Sequence, residues 1–70
     1  MNNPPLNLYY FRSNKTNDHA IIIANTSIEA LGILKDNITP NQFSSIDIRS
    51  YIGPFDDNQV RILINTFDKE

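Results

Sequence analysis

The sequence predicts an α+β fold: a two-layer sandwich in the order β-β-α-β-β, with a mainly antiparallel four-stranded sheet and one helix on one face. Three observations carry this expectation. Four short stretches are rich in β-branched and aromatic residues, three of them alternating with a period of two and one centred on the continuous run Ile21-Ile22-Ile23. A single segment, opened by a capping signal, has helical periodicity. The connections between these segments are short and polar.

The chain opens with a proline-containing lead-in over residues 1–5, extended because proline fixes φ and lacks an amide donor. Leu6 to Arg12 reads as the first strand. Its alternation puts Leu6, Leu8 and Tyr10 on one face and Tyr9 and Phe11 on the other. Ser13 to Asp18 is a polar turn, and His19 to Ala24 is a second strand whose Ile21-Ile22-Ile23 centre suits an interior position in a sheet. The short connection makes an antiparallel hairpin the simplest arrangement.

Thr26-Ser27-Ile28-Glu29 fits a capping box, with the Thr26 hydroxyl on the Glu29 amide and the Glu29 carboxylate on the Thr26 amide. The helix is expected from Ser27 to Asp36. Ala30, Leu31, Leu34 and Ile38 form its apolar stripe, and Asn37 is a left-handed cap. Thr39-Pro40 ends the helix and Asn41 to Ser44 connects onward. Ser45 to Ile52 is the third strand, with Ile46, Ile48 and Ile52 against Asp47, Arg49 and Tyr51; Gly53-Pro54 breaks it. Asp56-Asp57-Asn58 is turn chemistry. Gln59 to Phe67 is the fourth strand, with Val60, Ile62 and Ile64 against Arg61, Leu63 and Phe67. Residues 68–70 form a frayed charged end.

The 70 residues allow one domain, residues 1–70. A chain of this size buries only about 60% of its unfolded surface, so its margin of stability is thin. With no cysteine, disulfides and thiolate metal sites are excluded. The net charge of −2 gives no overall attraction to nucleic-acid phosphates or anionic membranes. No secretory leader or membrane-spanning stretch is evident, so a cytoplasmic location is expected. Asn14, Asn25 and Asn37 each sit in a glycosylation sequon, expected to be accidental without a leader.

Little points to catalysis. His19 is the only histidine, and its neighbour Asp18 would point to the opposite face of a strand. Asp56-Asp57 lacks the ligand spacing of a calcium loop. Gly32 and Gly53 are the only glycines, too few for a phosphate-cradling loop, and Gly32 is expected on an exposed helix face. No catalytic residue, metal or cofactor is expected.

One helix covers one sheet face, so function is sought on the other. The candidate partner-binding residues are Tyr9, Phe11, Arg49, Tyr51, Arg61 and Phe67, with Leu63 beside them. Tyr, Phe and Arg are the residue types enriched in interface cores, although alternating aromatics can equally be packing only. The expectation is a non-catalytic protein-binding domain. A homodimer burying that face is the first candidate, and a phage or mobile-element accessory protein, such as an inhibitor of host defence, is the most specific version. The alternative is nucleic-acid binding through the same aromatic and arginine face. The acidic balance and the missing RNP1 pattern count against it.

Overall fold

The computed structural model describes residues 6–55 and 59–67. The expected lead-in, the Asp56-Asp57-Asn58 turn and the charged end lie outside these residues. Strands β1 (Leu6–Ser13) and β2 (His19–Ala24) are followed by helices α1 (Ser27–Asn37) and α2 (Pro40–Ser44), then strands β3 (Ile46–Phe55) and β4 (Arg61–Asn65). The sheet order is β3-β1-β2-β4 and every pairing is antiparallel. This is the small two-layer α+β fold expected from the pattern, with a central hairpin and two outer strands.

The alternation of β1 and β2 sorts the sheet into cross-strand rows. On the face toward α1 run Tyr51, Tyr9, Ile22 and Ile62, then Arg49, Phe11, Ala20 and Asn65. On the other face run Ile52, Leu8, Ile23 and Arg61, then Ser50, Tyr10, Ile21 and Ile64. The core joins the first pair of rows to the helix. Tyr9, Phe11, Ala20, Ile22 and Ala24 pack with Ala30, Leu34 and Ile38, and Ile46 and Phe67 complete it.

The helix therefore lies on the face opposite to the one expected. The sequence parity put Leu6, Leu8 and Tyr10 beneath the helix; the structure puts Tyr9 and Phe11 there. The physical reason is in β2. Ala20 and Ala24 flank Ile22 on one face, and all three have no exposed surface. Two small side chains let the backbone of α1 come close to the sheet, while Tyr9 and Phe11 on β1 fill the space beside it. The opposite face of β2 carries Ile21 and Ile23 and offers no such recess.

Bulges account for the other shifts. β3 has register irregularities between Arg12 and Ser13 and between Leu6 and Leu8. Ile46 consequently pairs with Ser13 on the core side, while Ile52 pairs with Leu8 on the other, so these isoleucines do not share a face. A shift between Ile21 and Ile22 likewise puts Ile62 and Ile64 on opposite faces. An inserted residue inverts the alternation beyond it.

Local signals are mostly realised. Thr26 caps α1 by accepting the Glu29 amide at 3.1 Å. The Glu29 carboxylate, however, takes the Asn25 backbone amide at 2.8 Å and the Asn25 side-chain amide at 3.0 Å rather than the Thr26 amide. No residue other than glycine has positive φ among those described, so Asn37 is not a left-handed cap; its side chain donates to the Ile33 carbonyl at 2.7 Å. Helix α2 was not expected. Thr39-Pro40-Asn41-Gln42 is a full capping box, with Thr39 and Gln42 serving each other's amides at 2.8 and 3.1 Å and proline in the first turn. Strand β3 runs through Gly53-Pro54, whose peptide bond is cis, instead of ending there. Proline is tolerated because β3 is an edge strand.

A buried serine pair fastens the hairpin loop to α2 and β3. Ser45 Oγ donates to the Gln42 carbonyl at 2.6 Å, so the 2.8 Å contact between the two hydroxyls is donated by Ser13. Ser13 Oγ then accepts the Lys15 and Thr16 amides at 3.1 and 3.2 Å. Every buried side-chain polar atom among the described residues has a partner, as interiors require.

Candidate functional site

The six residues expected to form one surface separate into three environments. Tyr9, Phe11 and Phe67 are buried in the core, at 7%, 2% and 7% exposure. Arg49 and Tyr51 lie on the same side of the sheet as the helix, but on β3, where α1 does not cover them. Arg61 pairs with Ile23 on the opposite face. The expectation that these residues share an uncovered face is thus corrected by the register and by the placement of α1.

Tyr9, Phe11, Arg49 and Tyr51 do converge on a groove between α1 and β3. With Ser27 and Leu31 on the helix wall, they line a cavity of about 190 Å³. That is less than the roughly 300–1,000 Å³ of small-molecule pockets. The tyrosines form a cross-strand pair with ring centroids 5.6 Å apart and planes tilted by 47°. Asn7 holds both phenols: its amide donates to Tyr9 at 3.2 Å and its carbonyl accepts from Tyr51 at 3.1 Å. The same side chain donates to the Asn25 carbonyl at 3.1 Å, so the groove's upper end is tied to the start of α1.

The uncovered face is built from the alternate residues. Leu8, Tyr10 and Ile21 are half-buried, and Ile52 and Ile64 are 60% and 43% exposed. Leu6 and Ile23 on the same face are closed off, so the accessible part follows the row from Tyr10 through Ile21 to Ile64, with Ile52 at one corner. Across the two central rows of this face Arg61 is the only charged residue. No helix among the described residues packs on it. Contiguous exposed apolar surface of this kind marks interaction sites. Ile28, at 81% exposure, is different: it stands on α1, away from this face.

The signal for this face was present in the sequence. Ala20 and Ala24 on one parity of β2, against Ile21 and Ile23 on the other, distinguish the recess that receives a helix from the flat bulky side.

His19 and Asp18 engage separate partners. Asp18 accepts the hydroxyls of Thr16 at 2.7 Å and Thr66 at 3.1 Å, while His19 Nδ1 lies 3.3 Å from the Asn17 carbonyl and its ring 6.1 Å from that of Tyr10. Hollows of about 440 and 430 Å³ flank the 14–18 loop, lined mainly by polar side chains with only Asp18 or Asp47 as carboxylates. No group of His, Asp and Glu side chains suited to a metal ion occurs among the described residues. No described helix is long and apolar enough to cross a membrane. No protein-family model, curated protein or solved structure matches the chain.

Proposed function

We propose that this chain is a non-catalytic binding domain that docks another protein on its uncovered sheet face. The observation that carries this is the row of Tyr10, Ile21 and Ile64, with Ile52 beside it, left accessible on the face opposite α1. Burial of apolar surface is the driving force, at about 25 cal/mol per Å² removed from water. The near absence of charge on the two central rows favours an apolar, uncharged protein surface as partner over a phosphate backbone. In its most specific form, the protein is an accessory factor of a phage or mobile element, such as an inhibitor of host defence acting by blockade. Small size and the absence of catalytic motifs support that version. Nucleic-acid binding is weakened as an alternative, because the aromatics meant to stack bases are largely buried and Arg49 and Arg61 lie on opposite faces.

Affinity capture with the native chain, Ile64→Asp and Ile28→Asp tests the proposal. A partner held by the native chain and Ile28→Asp, and released by a folded Ile64→Asp, supports it. Capture that survives Ile64→Asp refutes docking on this face.

A further inference from the structure

The two outer edges of the sheet are not equivalent. β4 has only five residues and shifts register against β2; short length and a bulge both spoil an edge for pairing. β3 has ten residues. From Arg12↔Ile48 to Leu8↔Ile52 it pairs with β1 without interruption, and irregularities bound this segment on both sides. Among the described residues no strand lies beyond it. The outer edge of 48–52 is thus a regular ladder of backbone donors and acceptors, the arrangement that recruits another strand.

The residues of this segment are complementary to themselves when reversed. Positions 48 to 52 read Ile-Arg-Ser-Tyr-Ile. Antiparallel pairing with a second copy, centred on Ser50, sets Ile48 opposite the copy's Ile52, Arg49 opposite its Tyr51, and Ser50 opposite Ser50. Directly opposed residues have Cβ atoms about 4.5–5.5 Å apart. That brings the Arg49 guanidinium within reach of the ring face of the copy's Tyr51, a cation–π contact made twice by symmetry. Tyr51 is 59% exposed although it already packs on Tyr9, so its outer surface is available. The small Ser50 sits at the crowded axis.

We propose that β3 is a homodimerisation edge, joining two copies through residues 48–52 into one eight-stranded sheet about a two-fold axis at Ser50. Such an interface is isologous. The helix of each copy lies over β2 rather than β3, and so leaves the junction clear. The dimer stands independently of the open-face proposal: it leaves that face uncovered and makes it continuous across both copies. A five-residue strand pairing is small beside the roughly 800 Å² per partner of a standard interface, so the dimer should dissociate on dilution.

The native chain has no cysteine, so Ser50→Cys carries one thiol. Facing residues in antiparallel strands have Cα atoms about 4.5–5.5 Å apart, within the range a disulfide spans. Mild oxidation should therefore cross-link Ser50→Cys much faster than Lys35→Cys, whose thiol would sit on the exposed side of α1. In sedimentation equilibrium, Tyr51→Arg should weaken the dimer about tenfold or more by opposing like charges. Adding Arg49→Asp to it should restore association by making both pairs opposite in charge, a recovery that general destabilisation would not give. Ile64→Asp should leave the dimer intact, so its failure and that of the open-face proposal are separable. A native chain that stays monomeric to roughly millimolar concentration overturns the proposal. So does a Ser50→Cys variant that oxidises no faster than Lys35→Cys.

Discussion

The two faces of the sheet are made from alternate residues of the same strands and meet opposite fates. Tyr9, Phe11, Ala20 and Ile22 are sealed under α1, whereas Tyr10 and Ile21, one position along in their strands, remain accessible together with Ile64 on β4. Both sets are apolar, so hydrophobicity does not decide between them. Relief does. The alanines of β2 form a hollow that accepts a helix, while on the reverse Ile21, unlike the sealed Ile23, stays accessible beside Tyr10 and Ile64.

The sharpest way to break this comparison is to truncate consecutive residues of β1. Phe11→Ala should cost about 3–5 kcal/mol, enough to threaten folding of a chain this small. Tyr10→Ala should cost far less, because its side chain is only half-buried. Urea denaturation reads both, and equal losses would erase the distinction between the faces.

Filling the hollow is the next test. Ala24→Leu should overpack the contact with α1 and destabilise by about 1–3 kcal/mol, while Ile21→Leu on the flat face should change the urea midpoint little. At the edge, Gly53→Ala should also destabilise by about 1–3 kcal/mol. A Cβ there would lie 2.8 Å from Asn7 Oδ1 and 3.2 Å from the Asn7 Cα, and the backbone atom cannot swing aside. The loss should appear as a lower Tm together with disturbed Tyr51 resonances, since Asn7 holds that phenol.

The smallest effect is a gain. Gly32 is exposed and a Cβ there meets nothing within 4 Å. Gly32→Ala should stabilise by about 1 kcal/mol through helix propensity. For a domain of this size that corresponds to a Tm rise of about 4–8 °C in a thermal melt.

Much of the architecture was legible from local chemistry. Alternation located three strands, the continuous Ile21-Ile22-Ile23 run located the other, and Thr26 located the start of α1. The face assignment was not, because Leu6, Leu8 and Tyr10 are as apolar as Tyr9 and Phe11, and alternation alone does not rank two apolar parities. Only the alanine spacing of β2 does so. The Ile46, Ile48, Ile52 alternation crosses a bulge, beyond which the parity inverts. Helix α2 is ambiguous in the sequence: Thr39 and Gln42 have capping-box spacing, but Thr39-Pro40 also suits a helix stop. For the candidate site, the parity of Tyr9 and Phe11 puts them under α1, whereas Arg61 does stand on the open face. Arg49 and Tyr51 are accessible because β3 lies outside the cover of α1, which is a property of strand order rather than of local pattern.

Solvent paramagnetic relaxation of the isoleucine methyl groups tests the face assignment most directly. With a soluble gadolinium chelate, the Ile64 methyls should relax strongly and those of Ile22 should be protected, at 43% and 0% exposure. Equal protection of the two, or protection of Ile64 with exposure of Ile22, would contradict the account.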